Sequence, residues 1–263
     1  MIKLALSGAG GRMGQRLLAL SAADPEFELV QAIEWSGFPL MGQNVAAGNA
    51  NTGGVLWTDA LGAGADVLVD FSSPENAVKN ARLASGFGTA LVVGTTGLSE
   101  DEENALRAAS ASIPVMLSPN YSFGVNLLFK LAEEAAKALG GSYNVEIVEA
   151  HHNQKVDAPS GTALGIAHAV ESALGRGRDM DGDLVFGRSG KPGKRGPHEI
   201  GMHSLRMGAL AGDHTVYFCN NHECLSISHR AESRDVLATG ALRAAKWLLE
   251  KKPGFYSMRD MLF

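Results

Sequence analysis

IKLALSGAGGRMG, residues 2–14, is a short apolar strand that runs straight into a glycine turn. An amphipathic helix follows, with Leu17, Leu18 and Leu20 on its apolar side. Strand, glycine turn and helix in that order form the setting a dinucleotide fingerprint needs. Glycines let the backbone approach a pyrophosphate, and the helix N-terminus offers N–H groups and a partial positive charge. The spacing departs from G-x-G-x-x-G: Gly8 and Gly10 fit the first two places, Met13 stands where the third glycine should be, and Gly14 comes one residue late. By itself such a turn also serves plain packing. Glu34 strengthens the nucleotide reading. It stands about 20 residues beyond the glycines, at the end of the strand-like run Phe27–Ile33, where a carboxylate can accept both hydroxyls of an adenosine ribose.

The alternation continues along the first half. Asp66–Phe71 is a buried-type strand, and Ser73-Pro74-Glu75 opens a helix with proline at an early position, where its missing N–H is harmless. Ala90–Gly94 is another strand leading into Thr95-Thr96-Gly97, Ser99–Glu102 caps a further helix, and Pro114–Leu117 is a strand ending at Ser118-Pro119-Asn120-Tyr121. This rhythm predicts an α/β fold, a Rossmann-type doubly wound parallel sheet with its ligand at the carboxyl ends of the strands. After Tyr121 the rhythm changes. A helix over about 125–139 leads to the strand Val145–Glu149, another helix begins near Thr162, and a glycine-rich stretch at 187–196 reads as a mobile loop. Alternating strands in 199–207, 214–219 and 224–229 then predict a second α+β domain with a largely antiparallel or mixed sheet. From Ser233 a helix returns, with Val236, Leu237, Ala241, Leu242, Ala245 and Leu248 on one face, predicted to pack back on the nucleotide domain. The expected domains are 1–121 with 232–263 for the dinucleotide, and 122–231 for substrate and oligomerisation. A hinge near Tyr121 and Glu232 would let them close.

EAHHNQKVDAPSGT, residues 149–162, crowds a histidine pair, a lysine and a candidate anion-binding turn into one segment. His151 and His152 offer imidazoles that titrate near neutrality, and Lys155 adds a cation. Pro159 breaks what precedes it, and Ser160-Gly161-Thr162 opens a helix whose free N–H groups suit a small carboxylate or phosphate. A capped helix start behind two surface histidines is the plainer reading of the same letters.

Composition narrows the field. At 263 residues the chain is long enough for two modest domains. Its net charge is −5, and Lys191–Arg195 is too short and glycine-rich to follow a nucleic-acid backbone, so no nucleic-acid partner is expected. Cys219 and Cys224 are the only cysteines, so no disulfide framework is expected and a reducing cytoplasm is the simpler setting. No apolar run is long enough to span a bilayer, and no membrane association is expected. No metal is expected either. His151, His152, His198, His203, His214 and His222 come without a cysteine or carboxylate at a clear zinc spacing, and adjacent histidines on a strand exit project apart.

Seven motifs give a resemblance over nearly the whole length: SGAGGRMG from Ser7, VDFSSPE from Val69, VVGTTG from Val92, NYSFGVN from Asn120, EAHHNQKVDAPSGTA from Glu149, EIGMHSLRMGALAGDHTVYF from Glu199, and SHRAESR from Ser228. Through them the chain resembles the dihydrodipicolinate reductase family, the 4-hydroxy-tetrahydrodipicolinate reductases of lysine and diaminopimelate biosynthesis. The motif from Glu149 is the specific one. The resemblance implies reduction of a cyclic unsaturated dicarboxylate by hydride from NADH or NADPH, in a two-domain subunit that assembles as a homotetramer. It implies His151 as the catalytic proton donor and acceptor, Lys155 as its partner donor, His152 in contact with substrate, and Ser160, Gly161 and Thr162 holding a carboxylate. Arg234 is similar to a family arginine near the second carboxylate, and a solvent arginine at a helix start fits it equally. On physical grounds histidine suits proton transfer near neutral pH, whereas an ordinary lysine with a pKa of about 10.4 serves better as a carboxylate clamp.

On the cofactor side the resemblance implies Gly8, Ala9, Gly10, Gly11, Arg12 and Met13 at the pyrophosphate and Glu34 at the adenosine ribose. Gly94, Thr95 and Thr96 would lie near the nicotinamide ribose, and Ser118, Pro119, Asn120 and Tyr121 around the nicotinamide. Trp35 stands where a basic residue often follows the ribose glutamate, and Ser73 where another arginine can sit. NADH is therefore expected to serve at least as well as NADPH, with Arg12 or Lys79 left to fold toward a 2′-phosphate. Two other readings stay open: a different amino-acid-pathway NAD(P)-dependent dehydrogenase on the same nucleotide domain, and a non-catalytic nucleotide-sensing protein. The presence of both His151 and Lys155 favours the reductase.

Overall fold

Successive residues of the first strands point to opposite sides of one sheet, and both sides are apolar. Leu4, Leu6, Val67, Val69, Val92 and Met116 pack on one face, and Ala5, Leu68, Leu91, Val93 and Val115 on the other. Strands buried on both faces need a helical layer over each. The computed structural model, which describes residues 1–46, 52–175, 184–233 and 235–263, has that arrangement. It divides into two compact units, Met1–Phe123 with Asp235–Phe263, and Gly124–Arg234.

Elements are numbered along the chain. The first unit holds β1 (Ile2–Ser7), β2 (Phe27–Ile33), β3 (Trp57–Thr58), β4 (Val67–Asp70), β5 (Ala90–Val93), β6 (Pro114–Leu117) and β12 (Gly254–Tyr256). They form a parallel sheet in the order β12-β6-β5-β4-β1-β2-β3. Helices α1 (Arg12–Ala23), α6 (Asp235–Leu248) and α7 (Met258–Leu262) cover one face. Helices α2 (Pro74–Phe87) and α3 (Glu100–Ala109) cover the other. Ser73 caps α2 by accepting from the Asn76 N–H, and Ser99 with Glu102 forms a reciprocal capping box on α3, so both helices begin where their sequences provide an acceptor. The strand order reverses at β1, with β2 on one side and β4 on the other. That switch point opens a crevice between the loops that follow β1 and β4.

The second unit holds β7 (Asn144–His151), β8 (Leu184–Phe186), β9 (Ile200–Arg206), β10 (Gly212–Cys219) and β11 (Cys224–Ala231), ordered β11-β10-β7-β9-β8. Helices α4 (Phe123–Leu139) and α5 (Gly161–Ala173) cover one face through Leu128, Ala132, Ile166 and Val170. The sheet is mixed: β7–β9 and β8–β9 are parallel, while β10 pairs antiparallel with β7 and β11. Consecutive β9 and β10 do not pair, because β7, largely buried, takes the central place between them. The glycine-rich stretch is tied down. Arg188 makes two 3.0 Å bonds to Glu146 of β7, and Arg195 reaches the same carboxylate at 3.2 Å.

The cysteine expectation needs a correction. Cys219 and Cys224 stand directly opposite in the β10–β11 register and are joined as a disulfide across the hairpin. Among the described residues no helix is long and apolar enough to cross a membrane.

Candidate active site

The first cluster lies in the crevice at the β1/β4 switch point. A cavity of about 380 Å³ is lined by Ser7, Gly8, Gly11, Ile33, Glu34 and Trp35 from one side, and by Phe71, Ser72, Ser73, Asn76, Lys79 and Asn80 from the other. Gly8 has φ +70°, and a Cβ there would overlap the Phe71 backbone, 2.7 Å from its carbonyl carbon. The turn therefore brings two backbones together as only glycine allows. Gly14 supplies the third glycine's role one residue late. It packs α1 onto the turn so closely that a Cβ would lie 2.6 Å from the Ala9 carbonyl carbon. Helix α1 starts with no side-chain cap and no acidic residue in its first turn, which leaves its N-terminus open to an anion. Glu34 Oε1 accepts from the Gly10 N–H at 2.8 Å, at the mouth of the same turn. Together, the bare helix end, the two glycines and the carboxylate fit a dinucleotide.

A buried carboxyl group missed at the level of sequence ties these loops together. Asp70, fully buried at the end of β4, accepts at Oδ1 from the Ser72 N–H (3.0 Å), the Ser72 hydroxyl (2.8 Å) and the Thr95 hydroxyl (2.7 Å). Its Oδ2 accepts from Asn80 Nδ2 at 2.6 Å, and Asn80 also donates to the Ser7 hydroxyl at 2.9 Å. The ends of β1, β4 and β5 are thus held by one side chain. Asp70→Ala would take the acceptor from the buried Thr95 hydroxyl, which costs about 1–3 kcal/mol when left unmade, and would leave Ser72 and Asn80 with only their second partners, Thr95 and Ser73 for Ser72 and Ser7 for Asn80. A lower unfolding temperature and NADH affinity weakened about tenfold are expected, the latter about 1.4 kcal/mol. Thermal unfolding with and without NADH measures both, and an unchanged affinity would contradict a role in shaping the crevice.

The remaining residues expected at the cofactor divide by what they present. Ala9 is buried in the core, and Arg12 and Thr96 are exposed. Gly94 is covered by the Phe71 ring, which a Cβ there would overlap. Ser118 turns inward to the Asn120 carbonyl (2.8 Å), and Asn120 Oδ1 accepts from the Ser122 N–H (2.8 Å). Pro119 is exposed. Tyr121 is buried, its hydroxyl donates to the Val93 carbonyl at 2.8 Å, and burial pushes its ionisation far above the ordinary range. Its side chain braces the β5 and β6 ends and is not a proton donor, so only its backbone is left to meet a ligand.

The second cluster is in the other unit, at the end of β7. His151 is nearly buried, and its Nδ1 lies 2.5 Å from Glu149 Oε2. Arg206 binds both Glu149 oxygens at 2.9 Å, and the Ser160 N–H donates to Oε1 at 3.2 Å. Burial pushes the Glu149 carboxyl up, but hydrogen bonds from Arg206, Ser204 and His151 outweigh it and hold the group below the usual range. A side chain on Gly212 would crowd His151 Nε2 from 3.0 Å, so glycine leaves that edge of the ring open.

Ser160 caps α5 by accepting from the Ala163 N–H at 3.1 Å, and its hydroxyl lies 2.9 Å from His214 Nε2. Burial, with His151 beside it, pushes His214 down to about 4, so this imidazole is neutral at pH 7. His214 Nδ1 is buried without a partner. An orphan lone pair costs less than an orphan N–H, so the proton sits on Nε2 and points at Ser160. The Ser160 oxygen then accepts twice, and its own proton is left to donate. Helix α5 has no acidic residue in its first turn, Gly161 has open space beside it, and Thr162 is half-buried.

Lys155 pairs with Asp157 at 2.9 Å, and His152 Nδ1 accepts from the Gln154 N–H at 3.2 Å. Arg234 lies outside the described residues. Among the described residues no three potential metal ligands gather. Glu149, Arg206 and His214 were not foreseen as site residues. Glu149 stood in the most informative motif, but only folding brings β9 and β10 alongside it.

The chain matches two family models, "Dihydrodipicolinate reductase, N-terminus" over residues 2–121 and "Dihydrodipicolinate reductase, C-terminus" over residues 124–262. It is 45% identical to the 4-hydroxy-tetrahydrodipicolinate reductase of Magnetococcus marinus, over 99% of this chain and 98% of that protein. It is equally similar, at 45% and the same coverage, to that of Thiobacillus denitrificans. The fold is shared with a dipicolinate-bound dihydrodipicolinate reductase from Paenisporosarcina sp. TG-14, with a TM-score of 0.76 at 22% identity over 98% of this chain and 97% of that one. A more distant likeness is to an amine dehydrogenase from Mycobacterium smegmatis, with a TM-score of 0.56 at 14% identity over 97% and 94% of the two chains. The chain belongs to the dihydrodipicolinate reductase family.

Proposed function

We propose that this family member catalyses the NAD(P)H-dependent reduction of 4-hydroxy-tetrahydrodipicolinate to tetrahydrodipicolinate, in lysine and diaminopimelate biosynthesis. The observation that carries this reading is the cluster built by residues 149–162, a nearly buried imidazole beside a Ser160-capped helix start with no acidic residue in its first turn, in a chain of this family. When bound, the reduced nicotinamide supplies a hydride to one carbon of the conjugated ring. His151 delivers a proton from Nε2 as electron density develops elsewhere on that ring. The N–H groups at the start of α5, the Ser160 hydroxyl and Thr162 hold one carboxylate. Lys155 exchanges Asp157 for a substrate carboxylate and acts as a clamp, with His152 and Arg234 as further contacts. In the other unit, the turn from Gly8 to Met13 receives the pyrophosphate and Glu34 the adenosine ribose. Residues 94–96 and 118–121 border the nicotinamide end.

An assay coupled to the preceding synthase, following consumption of reduced nicotinamide, tests the reading. Substrate left untouched with either coenzyme overturns it.

Both coenzymes are proposed to serve, NADH at least as well as NADPH. A 2′-phosphate beside Glu34 meets a carboxylate, and Trp35, exposed, brings no charge. Lys79 also lines the crevice, where its ammonium donates to the Asp59 carbonyl at 3.3 Å, and it is the cation proposed to offset that repulsion. Lys79→Ala is expected to lower kcat/KM for NADPH about tenfold, about 1.4 kcal/mol, with NADH changed by no more than about twofold. Steady-state kinetics with both coenzymes checks this, and a wild-type preference for NADPH would contradict it.

The proposed assembly is a homotetramer. Its support is the edge strand β11, whose residues are all exposed or half-exposed in the single chain. A solution mass measurement decides it. The proposed setting is the cytoplasm. The β10–β11 register itself sets Cys219 opposite Cys224, so the bond joins two residues that strand pairing already brings together.

A further inference from the structure

We propose that Glu149, clamped by Arg206, is a positioning residue that keeps the imidazole proton of His151 on Nδ1 and so presents Nε2 as the atom that exchanges a proton with the substrate. The inference rests on the reading of His151 as the proton donor, and it deepens that reading.

Glu149 and His151 are two residues apart on β7, so the strand's period puts both side chains on one face. Glu149 is 1% exposed, and a carboxylate that deep is costly unless its oxygens are engaged. They are engaged: Oε1 accepts from Arg206 and the Ser160 N–H, and Oε2 from Arg206 and His151. Two parallel bonds from a guanidinium hold the group as an acceptor. The hydrogen on the 2.5 Å line between Oε2 and Nδ1 therefore belongs to the imidazole. In the neutral ring Nε2 then carries the lone pair. In the imidazolium Nε2–H is the bond that breaks: the proton passes to the substrate, the electron pair stays on Nε2, and solvent later restores the proton.

Among the described residues, the charged and titratable groups around the ring come from three strands and one loop. Glu149 lies on its own strand and Arg206 on β9. His214 on β10 stands edge-on with ring centroids 5.1 Å apart. Beside it Asp213 is occupied by Arg230, and on the loop after β7 Lys155 is occupied by Asp157. Glu149 is thus the carboxylate in contact with the ring, and removing its charge disfavours the imidazolium.

Glu149→Gln is expected to lower kcat about 10–100-fold, as removal of an orienting partner does elsewhere. The alkaline limb of the kcat profile should move to lower pH by about one unit, while KM for substrate and NADH stays within about twofold. A merely structural role would cut activity at every pH without moving the limb, which would overturn the proposal. Should the variant not fold, the wild type still decides. Nitrogen-15 spectra of histidine-labelled protein, assigned with His151→Asn, should show neutral His151 protonated at Nδ1 and bare at Nε2. The opposite tautomer overturns the proposal and leaves the reductase reading intact; absence of turnover in the coupled assay overturns that reading instead.

Discussion

His151→Ala is expected to lower kcat by about 10²–10⁴-fold, the usual range for removal of a positioned acid or base, while NADH affinity changes by no more than about twofold. The two effects separate because of where the residue sits. His151 belongs to the end of β7 in the second unit, and the dinucleotide crevice lies within the first. Removing the ring takes away the proton source and leaves Glu149 facing a small void, still satisfied by Arg206 and the Ser160 N–H. Stability should therefore fall less than for a broken buried ion pair. Pre-steady-state kinetics with fluorescence titration of NADH measures both numbers. Near-normal turnover in the variant would remove His151 from the chemistry, and a matched loss of NADH binding would point to misfolding.

Gly14→Val should weaken NADH binding by tenfold or more and lower the unfolding temperature on the order of 5–10 °C, from overpacking worth about 1–3 kcal/mol. The position tolerates no Cβ, because Ala9 and Gly8 backbone atoms already occupy its place and neither can move without opening the β1–α1 turn. That turn aims the bare N-terminus of α1 at the crevice, so a shift that relieves the overlap misdirects the N–H groups meant for a pyrophosphate. Gly86→Ala is the control. Gly86 lies within α2 with open space beside it, and alanine there should be neutral or stabilising by about 0.5–1 kcal/mol. Differential scanning calorimetry with and without NADH separates the cases, and a Gly14→Val protein that binds NADH normally would refute the packing account.

Much of the fold was legible from local pattern. Two-sided apolar strands alternating with capped helices specify a doubly wound sheet, since each strand's period and each helix's cap are read from neighbours in the chain. Shorter elements escaped. β3 has two residues, and β8 and β12 have three each, too few for any period to show, and they exist because an adjacent strand offers an unpaired edge. The late glycine looked like a defect in the fingerprint. In three dimensions Gly14 makes the close helix approach that the pattern assigns to its third glycine, because one turn of α1 brings it back over Gly8.

Sequence alone determined the class of each domain and singled out the run from Glu149 to Thr162 as the candidate for the chemistry, since periodicity, glycine turns and that run are local properties. Tertiary structure decided which of these side chains meet. Asp70 is an ordinary strand-end aspartate until Asn80, 10 residues on, and Thr95, 25 residues on, close around it. Glu149 acquires Arg206 from 57 residues away through the parallel register of β7 and β9, and Ser160 acquires His214 from 54 residues away once β10 pairs with β7. The physical reason is that burial and charge pairing depend on distances through space, which strand pairing sets and local sequence does not encode.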